Sequence, residues 1–416
     1  MTMAELRDRL GTVDDVLVDD MLAKVRERMS HADARPLRAA RPPSSRLPQS
    51  PWRKLAIIAA AFTIAAVPII VLFSIYTRPT PTVAADQAGT IIATIPVSGS
   101  RAVATGDRSL WVADAEGGNV SRIDPATNAV VETVSADATN EGPWDIAVGD
   151  GAVWAVMGKG NYPDSVVRID IATKSVTATV PVSGAALAEF AFGSVWVTTV
   201  SADAHGVVVQ IDPGTNQIVA TIPLDAESEA IAVGGGALWS MGNNTISRID
   251  PGTDTASVVF TGAPKTGMGG LDYAAGALWT TSCDLSGPFV SGAHPGPGCV
   301  YRLERIDATT FTSSQTSVVT EHEDDTHTLF NINTSVVAAD ATSVWVTTAD
   351  APPVEDGVGF SNGRLLRFDP STGASLGQVE IGPNYVGSGA IASGDLWGLT
   401  WGMSSHSVLL RVRAAG

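Results

Sequence analysis

The sequence predicts an all-β protein, a seven-bladed β-propeller ectodomain over residues 88–416, preceded by a short cytoplasmic helix and one transmembrane helix. Three observations predict it. A small or polar residue, then an aliphatic or alanine, then tryptophan recurs at Trp111, Trp154, Trp196, Trp239, Trp279, Trp345 and Trp397, in steps of 43, 42, 43, 40, 66 and 52 residues. A period just above 40 that holds several short strands marks one propeller blade per repeat. Within each period a second signal follows, Arg-Ile-Asp or a close variant, at 122–124, 168–170, 210–212, 248–250, 305–307 and 367–369. The third observation is an uncharged apolar run of 22 residues, 55–76, long enough to cross the hydrocarbon core of a bilayer.

Each blade reads as four strands. The second holds the tryptophan, as in Ser-Leu-Trp-Val-Ala-Asp at 109–114, and the third ends on the aspartate. Asp124, Asp212, Asp250 and Asp369 precede Pro, so the carboxylate caps a turn whose next φ is fixed by the ring. All six repeat aspartates are therefore expected to form turns. The fourth strand alternates, as in Ile-Val-Ala-Thr-Ile-Pro-Leu at 218–224. After Trp397 only one more strand follows, at 407–412, whereas Gly-Thr-Ile-Ile-Ala-Thr-Ile-Pro-Val at 89–97 is a fourth strand with no partners before it. Pairing the two closes the ring.

The segments before the ring divide as a cytoplasmic tail over 1–54, the membrane span 55–76 and a linker 77–87. Leu17, Met21, Val25 and Met29 repeat at helical spacing in the tail. Residues 35–54 carry five prolines and six basic residues, suited to lie against anionic lipid. Trp52 and Tyr76 bracket the span, and the basic cluster before it places the tail in the cytoplasm and the ring outside the cell membrane. A cleaved signal peptide ending near Ala84-Ala85 is the competing reading, opposed by the long charged tail and the length of the apolar run. The tail is too short to bury a core of its own. It serves as a topology signal or as a docking helix that relays to a cytoplasmic partner, and without cysteine it is not a Cys/His zinc module.

Charge is split in the same way. Residues 1–78 hold 12 Lys+Arg against 8 Asp+Glu, and the remainder holds 14 against 35. An acidic body repels phosphate backbones, which excludes nucleic acid as its partner. The two cysteines, Cys283 and Cys299, pair as one disulfide in an oxidising compartment, contributing about 3 kcal/mol by loop entropy, and stay as thiols in a reducing one.

Val-Ser-Arg-Ile-Asp-Pro-Ala-Thr-Asn-Ala-Val-Val-Glu-Thr-Val at 120–134 and Val-Val-Gln-Ile-Asp-Pro-Gly-Thr-Asn-Gln-Ile-Val-Ala-Thr-Ile-Pro at 208–223 resemble the YVTN-type repeat of the YncE-like seven-bladed propellers. The leading Leu-Trp-Val is similar to the repeats of virginiamycin B lyase-like propellers. The resemblance spans roughly residues 88–416 and implies an extracytoplasmic bacterial propeller. The histidine and glutamate positions on which the lyase relies have no residue-by-residue match here, and fold alone does not carry activity.

Chemistry is expected where the period breaks. The three expanded connections, about 283–299, 321–327 and 349–363, fall on one face of the ring, and long connections on a rigid scaffold carry function. His294, Glu321, His322, Asp325 and His327 are the candidate ligand-binding residues there; His205 and His406 map to the same face. Their spacing matches no metal motif, so no metal is expected. Asp145 and Glu189 form a second candidate, read as standing at one register of the innermost strand where other blades have Ala102, Ala230, Gly270 and Ala390. Two carboxylates on a channel wall bind a cation or share a proton, or else hold ordered water. Nucleophile motifs, phosphate loops and dinucleotide fingerprints are absent, so no cofactor and no catalytic residue is assigned. The function expected is a membrane-anchored scaffold for an envelope protein, glycan or small ligand. A lyase- or hydrolase-type enzyme using the loop histidines and carboxylates is the alternative.

Overall fold

The computed structural model describes residues 88–415, apart from 98, 137–141, 159–163, 201–205, 263–265, 285–300, 321–330, 352–360 and 402–406. They belong to the compact unit Pro81–Gly416. No helix among them is long and apolar enough to cross a membrane. The expected tail helix and the 55–76 span lie outside the described residues.

Seven four-stranded antiparallel sheets make up the ring. Blade 1 runs Ser100–Gly106, Ser109–Asp114, Asn119–Asp124 and Ala129–Ser135, from the channel outward. The innermost strands of blades 2 to 7 are Gly142–Gly149, Ala185–Ala191, Ala230–Gly234, Thr266–Ala274, Asn331–Ala339 and Tyr385–Ala392. Blade 7 is completed by the first strand of the ring: Gly89–Pro96 pairs antiparallel with Val408–Ala414, Gly89 opposite Ala414 and Pro96 opposite Val408. The closure expected from 89–97 is thus realised.

There is no single central core. Apolar side chains instead form seven clusters, one at each blade-to-blade interface, and each holds one repeat tryptophan. Trp111 of blade 1 packs with Ile146, Val153 and Ala155 of blade 2; Trp397 of blade 7 packs with Val103, Leu110 and Val112 of blade 1. All seven tryptophans are at most 1 % exposed. The reason is periodicity: side chains alternate across a strand, so each sheet offers an apolar face to both neighbours.

The Arg-Ile-Asp arginine completes this packing. Arg168, Arg367 and Arg411 lie over Trp154, Trp345 and Trp397, at 5.6, 5.9 and 4.8 Å. Arg122 and Arg367 also donate from Nε to the Oγ of Ser109 and Ser343, both at 2.7 Å. In blade 3, Gln210 does the same to Ser194 at 2.9 Å. In these three blades the serine two before the tryptophan is therefore the acceptor that fixes the third strand's long side chain.

One face of the ring is built from short turns. The inner and second strands are joined at 107–108, 150–151, 192–193, 235–236, 275–276 and 393–394, where both residues have positive φ, for example Asp107 at 48° and Arg108 at 57°. This is the two-residue turn whose twist matches paired strands. On the same face the repeat aspartates cap the third turn. Asp212 Oδ1 accepts from the Thr215 N–H, Asp307 Oδ1 from those of Thr309 and Thr310, and Asp369 Oδ1 from those of Ser371 and Thr372. The Ser371 hydroxyl, then the Thr372 and Ser371 N–H groups, hold the carboxyl of Asp369 down at about 2, and turn N–H groups, those of Thr173, Thr215, Gly252 and Thr310 first, hold Asp170, Asp212, Asp250 and Asp307 below the usual range. Their structural role is as expected.

Candidate functional site: the acid-lined channel

Opposite the short turns, the connections lengthen. Asp284 and Tyr301 bound the segment 285–300, Thr320 and Asn331 bound 321–330, and Ala351 and Ser361 bound 352–360. The strand ends they join lie on one face, so the breaks in the tryptophan period cluster there. Glu321, His322, Asp325, His327 and His294 all fall outside the described residues, as do His205 and His406. Cys283 is buried at the end of the second strand of blade 5 and is not a free thiol; Cys299 is outside the described residues.

The channel wall is described. An innermost strand is also a sheet edge, so half of its N–H and C=O groups have no partner in its own blade. Described side chains satisfy such groups across blade boundaries, among them Thr347 Oγ1, which accepts from the Val386 N–H at 3.2 Å, and Thr281 Oγ1, which donates to the Thr334 carbonyl at 3.1 Å. Asp145 Oδ2 accepts from the Ala188 N–H of blade 3 at 2.8 Å. Asp272 Oδ2 accepts from the Ala339 N–H of blade 6 at 2.5 Å, while its Oδ1 takes the Tyr273 N–H at 2.7 Å. Ser388 Oγ accepts from the Val103 N–H of blade 1 at 3.2 Å. Asp145 and Asp272 are therefore staples between neighbouring blades.

The register departs from the sequence reading. Glu189 stands opposite Trp196, and Asp272 opposite Trp279, at the position filled by Ala104, Ala147, Ala232, Ala338 and Ala390 elsewhere. Asp145 is opposite Val156, two residues earlier along its strand. Asp145 and Glu189 thus do not share a register. A bulge displaces the start of the inner strand in every blade but the fourth, between Pro143 and Asp145 in blade 2 and between Ala185 and Ala188 in blade 3. Offsets counted from the strand start are therefore not equivalent. Asp272, absent from the sequence-derived candidates, is found by counting seven residues back from the tryptophan, as for Glu189.

All three carboxylates stand on innermost strands and are half-buried. Burial pushes Asp145 up to about 7, against the pull of the Ala188 and Ile146 N–H groups. Glu189 rises to about 8 through burial first and then the charges of Asp145 and Asp272. Asp272 rises to about 6, through burial that outweighs the Tyr273 and Ala339 N–H groups, with Asp340 adding repulsion. Among the described residues no lysine or arginine is a cause of these shifts. Among the described residues no three His, Cys, Asp or Glu side chains are close enough to hold a metal ion.

Ring, short-turn face and acid-lined channel together define a seven-bladed β-propeller built from repeats. Residues 84–202, the closing strand with blades 1 and 2 and the first half of blade 3, match a family described as a repeat of unknown function (DUF6923). No curated protein sequence matches the chain. Among solved structures it is similar to hydrazine synthase of Kuenenia stuttgartiensis, at 12% identity and a TM-score of 0.55, over 81% of this chain and 99% of that one. At that identity the likeness is one of fold.

Proposed function

We propose that this chain is a membrane-anchored, extracytoplasmic member of the YncE-like propellers that binds a protein, glycan or small ligand on the face carrying the long connections. The observation that supports this reading is the asymmetry of the ring. Minimal turns build one face, and the segments 285–300, 321–330 and 352–360 join strand ends on the other, around the mouth of an acid-lined channel. Binding loops on a rigid scaffold follow this pattern. The uncharged run 55–76, with basic residues before it, supports the anchor and the orientation. The buried Cys283, which is not a free thiol, supports a disulfide to Cys299 in an oxidising compartment.

Two measurements test the reading on the full chain. Protease added to intact cells should digest the ring and spare a tag at residue 1; the reverse pattern rejects the orientation. Photo-crosslinking from positions in 352–360 should capture one defined partner, and replacing that segment with a two-residue turn should abolish the capture. Equal capture from the short-turn face rejects the assignment of the binding face. The enzymatic alternative is favoured only by channel carboxyls that titrate near neutrality.

A further inference from the structure

We propose that blade 2 binds a small inorganic anion, a halide such as chloride, at the base of its 149–152 hairpin, where Trp154 Nε1 and Arg168 Nε donate to it.

Blades 2 and 3 share one frame and differ at this place. In blade 3 the hairpin is closed by the pair Ala191 and Ser194. That pair supplies both acceptors for the side chains above it. The Trp196 indole donates to the Ala191 carbonyl at 3.0 Å, and Gln210 Nε2 donates to Ser194 Oγ at 2.9 Å. In blade 2 the closing pair is Gly149 and Ala152, and Trp154 stands opposite Arg168 as Trp196 stands opposite Gln210. Here both donors are left over. Trp154 Nε1 and Arg168 Nε are buried and have no hydrogen-bond partner. Ala152 offers a methyl where Ser194 offers a hydroxyl. Since both acceptors of blade 3 belong to one closing pair, both orphaned donors of blade 2 are directed at the matching pair.

Ala152 and Trp154 are fully buried, so bulk water does not serve these groups, and a buried donor without an acceptor calls for a bound water or ion. Among the described residues no other blade leaves the two donors together. The indoles of Trp111 and Trp397 also lack an acceptor, but Arg122 and Arg411 donate from Nε to Ser109 and Asp395. Arg305 Nε lacks one beside Ala277, but the Trp279 indole donates to the Ala274 carbonyl at 3.4 Å.

Charge selects an anion. A halide accepts from both N–H groups, whereas a water must also place two protons of its own. Arg168 is weakly compensated. Asp150 stands 3.9 Å from its Nη2 with a side chain 52% exposed. Asp170, the other acid that feels it, is held first by the Thr173 N–H and hydroxyl. Arg411, by contrast, meets the nearly buried Asp395 at 2.6 Å. Asp395 also occupies in blade 7 the position of Ala152, two before the tryptophan, and accepts there from Arg411 Nε. The repeat frame therefore holds a whole carboxylate at this place in one blade, and in blade 2 the same place has the cation and lacks the anion.

Thermal unfolding of the detergent-solubilised full chain in sodium chloride against sodium gluconate, at equal ionic strength, tests the site. Gluconate is too large to enter. A ligand of the folded state stabilises with the logarithm of its concentration, so the unfolding temperature should climb by about 2 °C per tenfold chloride and stay level in gluconate. Ala152→Ser gives Arg168 the acceptor of blades 1 and 6 and should abolish the difference, while unfolding in gluconate at or above the wild-type temperature. Arg168→Gln, the residue of blade 3, should abolish it as well. Ala277→Ser in blade 5 should leave it intact. Anomalous diffraction from bromide should show one ion in contact with Trp154 Nε1 and Arg168 Nε. Equal unfolding temperatures in the two salts would leave a buried water as the acceptor and overturn the proposal. A chloride effect that survives Ala152→Ser, or is lost in Ala277→Ser, would overturn its assignment to blade 2.

Discussion

Arg411 Nε donates to Asp395 Oδ2 at 2.6 Å, and both side chains are nearly buried. The same guanidinium lies over Trp397 and donates from Nη1 to the Pro125 carbonyl at 2.5 Å and to Asn128 Oδ1 at 2.8 Å. Its partners belong to blades 7 and 1, so this one side chain clasps the seam at which the two ends of the ring meet. Elsewhere a neutral serine, Ser109 or Ser343, does the work of Asp395.

That difference yields a graded test. Asp395→Ala leaves a buried guanidinium without its counter-charge and should destabilise by about 3–5 kcal/mol. Asp395→Ser restores the arrangement of the other blades and should cost about 1 kcal/mol or less. Urea midpoints at constant slope read both. Equal losses would mean that the ion pair, and not the hydrogen bond to Nε, holds the seam.

Removing residues 88–97 takes away the Gly89–Pro96 strand and leaves blade 7 with three strands. The Val408–Ala414 strand then becomes an unprotected edge. Amide exchange should accelerate first along 408–414 and next in Ser100–Gly106, across the cluster of Trp397, Val103 and Leu110. Protection unchanged in both segments would refute closure by the first strand.

Each interface holds one tryptophan, so Trp196→Ala should cost about 3–5 kcal/mol, and Trp196→Phe distinctly less. The Trp196 indole also donates to the Ala191 carbonyl at 3.0 Å, a bond that phenylalanine lacks. Thermal unfolding of the two variants separates the cavity from the lost bond.

The channel gives stability an unusual dependence on pH. Asp145, Glu189 and Asp272 are raised in the folded state, so the native ring binds more protons than the unfolded chain between about pH 4 and 8. Their contribution is fully present below the unfolded values and lost as pH rises through about 6 to 8. The turn aspartates, held low, act oppositely: their contribution is lost as pH falls toward about 2. The unfolding temperature should rise on acidification from pH 8 to 6 and collapse only in strong acid. Glu189→Gln should flatten the upper limb; a slope identical to wild type there would place the titrating group elsewhere.

Much of the ring is legible in the amino-acid sequence. The tryptophan spacing set blade number and interface, because a buried indole must recur once per sheet, and the Asp-Pro turns set the third corner. The closing strand followed from unpaired strands at 89–97 and 407–412. The channel was only half legible. Asp145 and Glu189 stood out as acids among alanines, but the bulges at Pro143/Asp145 and Ala185/Ala188 misaligned them, and the one at Gly269/Asp272 put Gly270 where Asp272 belonged. Among the described residues Glu189 has no donor from a neighbouring blade, and no pattern within one strand reports that.

Seven separate interfaces also set how such a ring diversifies. Each indole is seated by the two blades flanking it. Doubling the length of a flexible connection costs only about 0.6 kcal/mol, so insertions between strands weigh little on a fold whose cohesion lies between blades. Recognition and folding are thereby placed under separate selection: new loops can be tried at blades 5 and 6 while the tryptophan lattice is inherited unchanged.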